Sequence, residues 1–241
     1  MSGALASFSA ADLGGFAIAE ALKRAGVRPD QVDHVIMGQV LMAGQGQVPS
    51  RQAAVNAGIP MSVPSVNVNK VCLSGLNAIY LADQMIANGD ADIVVAGGME
   101  SMTNAPYIAP GARSGFRFGD TQLLDAIQRD GLWCAFDACL MGLGTERYAA
   151  GNISREAQDD LAMKSNQRAA AAIAAGRLAE EIVPVAIPQR KGDPVIVDTD
   201  EGVRASTTME SLAGLSPPST RQARSPQATR ARSVTQVLQS C

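Results

Sequence analysis

Cys72 is the side chain best placed to do chemistry. It stands in Asn69-Lys70-Val71-Cys72-Leu73-Ser74-Gly75, at the end of the alternating run PSVNVNKVC (64–72). Beyond it the apolar residues Leu73, Leu76, Ile79, Tyr80 and Ile86 follow a helical period as far as Gly89, interrupted by Asp83. A strand that hands over to a helix at a cysteine sets the sulfur near unpaired helix N–H groups and the positive end of the helix dipole. Both favour a thiolate. Ser74 and Gly75 are small enough for a carbonyl group to approach the backbone. The pattern has the form of a turn that presents a nucleophile for acyl transfer. A buried, inert cysteine in a βα turn fits the same spacing.

The other candidates restrict that chemistry. The single histidine, His34, opens the β-rich run VDHVIMG and reads as a surface or strand-end residue, so a Cys–His pair within this chain has only that residue to use. The cysteines at 72, 134, 139 and 241 have neither paired nor metal-site spacing. That suits a reducing compartment and a cytoplasmic protein, with no metal expected at Cys134 and Cys139. Gly97-Gly98 follow a strand-like run, but no GxGxxG follows, which argues against a dinucleotide site. Glu100, just beyond, reads as a carboxylate that satisfies backbone groups near the site. Met99 and Met102 read as core packing.

These residues require elements to position them. Ser9 and Asp12 form a helix-start signal, with a helix to about Ala25, Gly26 past its end, and Leu13, Phe16, Ala17 and Ala21 near one face. VDHVIMGQV (32–40) reads as a strand, residues 50–56 as a helix, and ADIVVAGG (91–98) as a strand covered on both faces. Strand, helix, strand in this order is a βαβ unit and implies a layered α/β core. From about Asn104 the chain becomes rich in proline and glycine. A helix is expected from Ser154 to about Ala175, and a hairpin is expected around Arg190-Lys191-Gly192-Asp193.

Composition sets the outer limits. The 241 residues, 46% hydrophobic and 18% charged, suffice for one large domain or a core with a subdomain. No apolar run approaches the roughly 18 residues that span a bilayer, and no secretory leader is evident. The net charge of −3 argues against nucleic acid as a partner. Charge is uneven: residues 219–241 hold four arginines and no acid, on an otherwise acidic chain.

Several segments carry a family resemblance. VNKVCLSGLNAI is similar to the acyl-cysteine signature of the thiolase family, with Leu73 where many members have glycine, and GDADIVVAGGMESMTNAPY (89–107) is similar to a second family segment. VIMGQVLMAGQGQVPSRQAAVNAGIP, RSGFRFGD and DEGVRASTTMESLAGL (200–215) extend the resemblance over residues 1–218. It implies an α/β, thiolase-like layered fold, N-terminal half only, with an inserted loop subdomain. The domains would be a core at 1–104 without its first strand, a CoA-binding loop subdomain at 105–218 and an aberrant tail at 219–241.

The implied function is acyl transfer between coenzyme A thioesters through an acyl-cysteine at Cys72: condensation of acetyl-CoA to acetoacetyl-CoA, or the reverse thiolysis. Leu132, Met141, Arg204 and Ser211 would lie along CoA. Leu140 stands where biosynthetic members often have histidine, which leaves a longer-chain 3-ketoacyl-CoA thiolase as an alternative. Acetyl-CoA and acyl-CoA are implied as substrates, with no resident cofactor, no metal, no membrane and a homo-oligomer in the intact family member. Arg190-Lys191-Gly192-Asp193 reads as a solvated turn, with neutralisation of CoA phosphates as the alternative.

The family's Gly-His-Pro and Cys-x-Gly-Gly-Gly segments are absent, so a non-catalytic fragment that binds CoA or intact subunits is a further reading. The missing opening strand is expected to be central in a five-stranded sheet. Its loss would expose the edges of two neighbours and, with loss of the second half, lead to poor solubility and no turnover. Read one base earlier from the last base of Pro218, permitted codons turn the tail into FDKAGTITAGNASQISDAGAAVV, close to the usual thiolase continuation. A single-base deletion near Pro218 is therefore expected, with a genuine basic tail for RNA or an acidic partner as the alternative.

Overall fold

The computed structural model describes residues 1–215; the tail at 219–241, with Cys241 and the expected change of frame, lies outside them. The first helix, α1 (Ala10–Ala25), begins where the sequence places it. Asp12 N–H donates to Ser9 Oγ at 3.1 Å, and Ser9 N–H donates back to the Asp12 carboxylate at 3.0 Å. This reciprocal pair satisfies two amide donors that the first turn leaves without partners. Gly26 closes the helix in the left-handed region, φ 66°, where only glycine is free of strain.

The buried face of α1 differs from the expected one. Ala11, Gly14, Gly15, Ile18 and Leu22 are inside, whereas Phe16, Ala17 and Ala21 are exposed and Phe16 stacks edge-on against Phe8, centroids 5.3 Å apart. The cause is close packing against α2 (Pro49–Asn56). A Cβ at Gly15 would sit 2.8 Å from Asn56 Cβ, and one at Gly14 would sit 2.7 Å from Met99 Sδ and 3.1 Å from Ala53 Cβ. The glycines are inside because they are small.

Three parallel strands follow: β1 (His34–Gly38), β2 (Ser65–Val68) and β3 (Val94–Gly98), in the order β2-β1-β3. α2 connects β1 to β2, and α3 (Ser74–Ala87) connects β2 to β3. Side chains of β1 alternate, as the period of a strand requires. Val35 and Met37 join Ile18, Leu22, Ala53 and Ile59 in the core under α1 and α2, while Ile36 packs with Ala78 and Ala82 of α3 on the other face. The result is a helix–sheet–helix sandwich.

Among the described residues the three strands leave no gap between them. β1 pairs with β3 without a break, from His34↔Val94 to Gly38↔Gly98, and with β2 from Val35↔Ser65 to Gly38↔Val68. The unpaired edges are the outer ones of β2 and β3. Nor is β3 covered on both faces as expected: Val94–Gly97 are half-buried and Gly98 is exposed. On α3 the inner face is Ser74, Ala78 and Ala82, while Leu76, Ile79 and Tyr80 are 63%, 52% and 57% exposed.

The described residues form two compact units. One contains residues 1–131, ending in the short antiparallel pair β4 (Tyr107–Ile108) and β5 (Leu124–Asp125), together with residues 185–197. The other starts at Leu132 with the hairpin β6 (Trp133–Cys134) and β7 (Cys139–Leu140), then α4 (Met141–Ala149) and α5 (Arg155–Ala174), whose N-cap is Ser154. The expected hairpin, β8 (Val185–Ile187) with β9 (Val195–Val197), belongs to the first unit; α6 (Met209–Ala213) belongs to the second. Arg155 holds α5 to α6: its guanidinium meets Asp159 at 2.9 Å and donates to the Leu212 carbonyl at 2.8 Å.

Candidate active site

β2 stops at Val68, four residues short of the cysteine that the alternating pattern reaches. The cause is local. Asn69 Oδ1 accepts from Val71 N–H at 3.0 Å, so the side chain takes an amide that a strand would have offered to its neighbour. Val71 adopts φ 50°, which for a β-branched residue costs on the order of 1–3 kcal/mol and persists only where its surroundings enforce it.

Those surroundings are explicit. Ser74 Oγ accepts from Lys70 N–H at 2.8 Å and donates to the Val71 carbonyl, which also accepts from Ser74 N–H at 3.0 Å. Leu73 N–H donates to the Lys70 carbonyl at 3.1 Å. Ser74 thus does more than leave room for a substrate, because its hydroxyl closes the turn. Cys72 stands within this turn, exposed, and no hydrogen bond among the described residues engages its thiol. Cys72 is therefore not a buried cysteine of the core.

Glycines bring the turn against the sheet. A Cβ at Gly38 would fall 2.5 Å from the Gly75 nitrogen, a distance no real contact tolerates. A Cβ at Gly98 would lie 3.4 Å from Gly75 Cα. The start of α3 therefore rests on the carboxyl ends of β1 and β3, the edge at which open parallel sheets bind ligands.

A second set of bonds reaches the same turn. Val40 N–H donates to Glu100 Oε2 at 2.8 Å, and Leu41 N–H donates to the same oxygen at 3.2 Å. The Val40 carbonyl in turn accepts from Asn69 Nδ2 at 3.3 Å. Glu100, Val40, Asn69 and Val71 form a continuous chain of hydrogen bonds that ends one residue before Cys72. The paired glycines before Glu100 pointed to its backbone-satisfying role; nothing in the spacing revealed the part Asn69 plays.

His34 opens β1, whereas the Cys72 turn packs at Gly38 on the strand's other end, four strand steps or roughly 13 Å away. It is not within reach to serve as base. Among the described residues no group of three or more His, Cys, Asp or Glu side chains is gathered as a metal site, and no helix is long and apolar enough to cross a membrane. Arg190, Lys191, Gly192 and Asp193 form the exposed turn between β8 and β9.

The four residues expected along CoA share the second unit. Leu132 is half-buried just before β6, and Met141 is exposed at the start of α4. Arg204 N–H donates to Asn166 Oδ1 of α5 at 3.0 Å, which fixes its backbone, while its side chain is exposed with no ion pair among the described residues. Ser211 is exposed, but its hydroxyl is engaged at the cap of α6: it accepts from Thr208 N–H at 3.0 Å and donates to the Thr208 carbonyl at 2.8 Å.

The family model described as "Thiolase, N-terminal domain" matches residues 1–223. An acetyl-CoA acetyltransferase of Cupriavidus necator is 54% identical over 216 residues, which are 89% of this chain and 55% of that protein. A probable acetyl-CoA acetyltransferase of Mycolicibacterium smegmatis is 53% identical (89% and 56%), and an acetyl-CoA acetyltransferase of Pseudomonas aeruginosa is 50% identical (89% and 55%). The chain spans about half the length of these curated relatives. With its cysteine turn at the carboxyl edge of a parallel sheet and this match over most of its length, the chain belongs to the thiolase family.

Proposed function

We propose that this chain is the N-terminal part of an acetyl-CoA C-acetyltransferase in which Cys72 carries the acyl group. The observation that supports this most is an accessible thiol on a strained turn held by two sets of hydrogen bonds. Holding a nucleophile in one geometry lowers the entropic barrier to attack. Cys72 gives its proton to a base and its sulfur adds to the thioester carbonyl; the bond from that carbon to the CoA sulfur breaks, and CoA leaves as its thiol once that proton is passed to it. Attack of the enolate of a second acetyl-CoA on the acyl-cysteine gives acetoacetyl-CoA and frees Cys72.

Within the segment 105–218, the residues of the second unit are the ones that bind CoA in this reading. Arg204 supplies an anchored, exposed cation for a phosphate, with Leu132, Met141 and Ser211 along the rest of the molecule. The thioester itself is the activated species, so the reading needs no resident cofactor. His34 being out of reach, the base and the second cysteine come from the remainder of the full-length protein.

Completing this chain with the C-terminal portion of the Cupriavidus necator relative and assaying acetoacetyl-CoA thiolysis tests the reading. Activity falls on the order of 10³-fold or more in Cys72→Ser. Retained turnover in that variant contradicts the proposal, and a preference for longer 3-ketoacyl-CoA over acetoacetyl-CoA replaces the acetyl specificity with that of a long-chain thiolase.

A further inference from the structure

We propose that Cys134 and Cys139 are a dithiol site that closes reversibly to a disulfide on reaction with a low-molecular-weight disulfide. The two residues are five apart in sequence, a spacing without meaning on its own, but the hairpin makes them direct partners: β6 and β7 pair in the register Trp133↔Leu140 and Cys134↔Cys139. Directly opposed residues of an antiparallel pair project from the same face of the ribbon, with Cα atoms about 4.5–5.5 Å apart. A disulfide requires a Cα separation of about 4.4–6.8 Å, so closure needs no rearrangement of the backbone.

The environments of the two sulfurs are unequal in a way that orders the reaction. Cys134 is half-buried, and its sulfur lies within the turn, accepting from Asp137 N–H at 3.4 Å and donating to the Asp137 carboxylate at 3.6 Å. Cys139 is buried, with Arg147 Nη1 of α4 donating to its sulfur at 3.8 Å. Cys134 is the sulfur an external reagent meets first. Its thiol loses a proton to solvent and the thiolate displaces one thiol from the reagent, leaving a mixed disulfide on Cys134. Cys139 then loses its proton and displaces the second thiol, forming the Cys134–Cys139 bond. Two protons are released to solvent and taken up by the two departing thiolates, and the reagent is reduced to two thiols. Arg147 places a fixed cation beside the sulfur on which negative charge develops in the second step.

Because that second step is intramolecular, it does not depend on the accessibility of Cys139, and the hairpin supplies a high effective concentration of the resolving thiol. The hairpin runs between Leu132 and Met141, but the dithiol chemistry does not rest on the CoA reading.

The test treats the full 241-residue chain with oxidised glutathione and maps its peptides without reduction. Both cysteines fall on one tryptic peptide, 130–147. The expected result is that this peptide becomes lighter by two hydrogens and regains them in dithiothreitol. Cys139→Ser, unable to resolve, accumulates a glutathione adduct on Cys134 that the unaltered chain does not hold. Persistence of both thiols, or glutathione adducts on peptide 130–147 of the unaltered chain in place of the internal bond, overturns the proposal.

Discussion

Glu100, two residues beyond β3, accepts the Val40 N–H at 2.8 Å across 60 residues of chain, and through Val40 it is joined to Asn69 and the Cys72 turn. Hydrogen bonds to a charged acceptor contribute about 1.5–3 kcal/mol each. Glu100→Ala removes two donors' partner in a half-buried position and is expected to cost about 2–4 kcal/mol by denaturant unfolding. Glu100→Gln, which keeps one carbonyl oxygen, is expected to lose about half of that. Amide exchange at Val71 should quicken in both variants more than exchange in α1.

Gly38 and Gly75 face each other but differ in tolerance. A methyl group at Gly38 meets the backbone of Ser74 and Gly75, neither of which can rotate away. Gly38→Ala should therefore cost about 3 kcal/mol or more, in the range of overpacked cores. At Gly75 the nearest atom to an added Cβ is 3.7 Å away, and the position lies in the first turn of α3. Gly75→Ala is expected to be neutral or to stabilise by up to about 1 kcal/mol. Thermal unfolding of the two variants distinguishes them.

Asp33 gives the fold an acid-sensitive joint. Its carboxylate accepts from Ile93 N–H and Asp92 N–H, both at 2.9 Å, and these bonds hold it below the ordinary carboxylate range. In the ionised form the folded state binds fewer protons than the unfolded chain. The contribution is thus fully present above the unfolded-state value and is lost as pH falls through the lowered folded-state value. Asp33→Asn should flatten the acid limb of a melting-temperature profile and leave the neutral region sloping as before.

What was legible in the sequence was local. Ser9 with Asp12, Gly26, and Ser154 mark helix ends through contacts that span three or four residues, and those boundaries match. Faces were less legible. Gly14, Gly15, Ala78 and Ala82 are inside because close approach of a helix demands small residues, and they carry little apolar signal. Leu76, Ile79 and Tyr80 carry the stronger period and point outward.

At the site, the type and placement of Cys72 were readable, as was the backbone-satisfying role of Glu100. The early end of β2 and the positive φ of Val71 were not, since both arise from side-chain bonds of Asn69 and Ser74 that compete with the strand ladder. The pairing of Cys134 with Cys139 was hidden for a different reason: register across a hairpin, not spacing, brings them together.

The central claim is that the Cys72 sulfur accepts an acetyl group. It is tested most directly by mixing the chain, completed with the C-terminal portion of its Cupriavidus necator relative, with acetyl-CoA, quenching in acid and mapping peptides by mass spectrometry. The account predicts a single acetyl adduct on Cys72, removed by added CoA. An unmodified Cys72 in a protein that turns over acetoacetyl-CoA, or an acetyl group found on another residue instead, would contradict it.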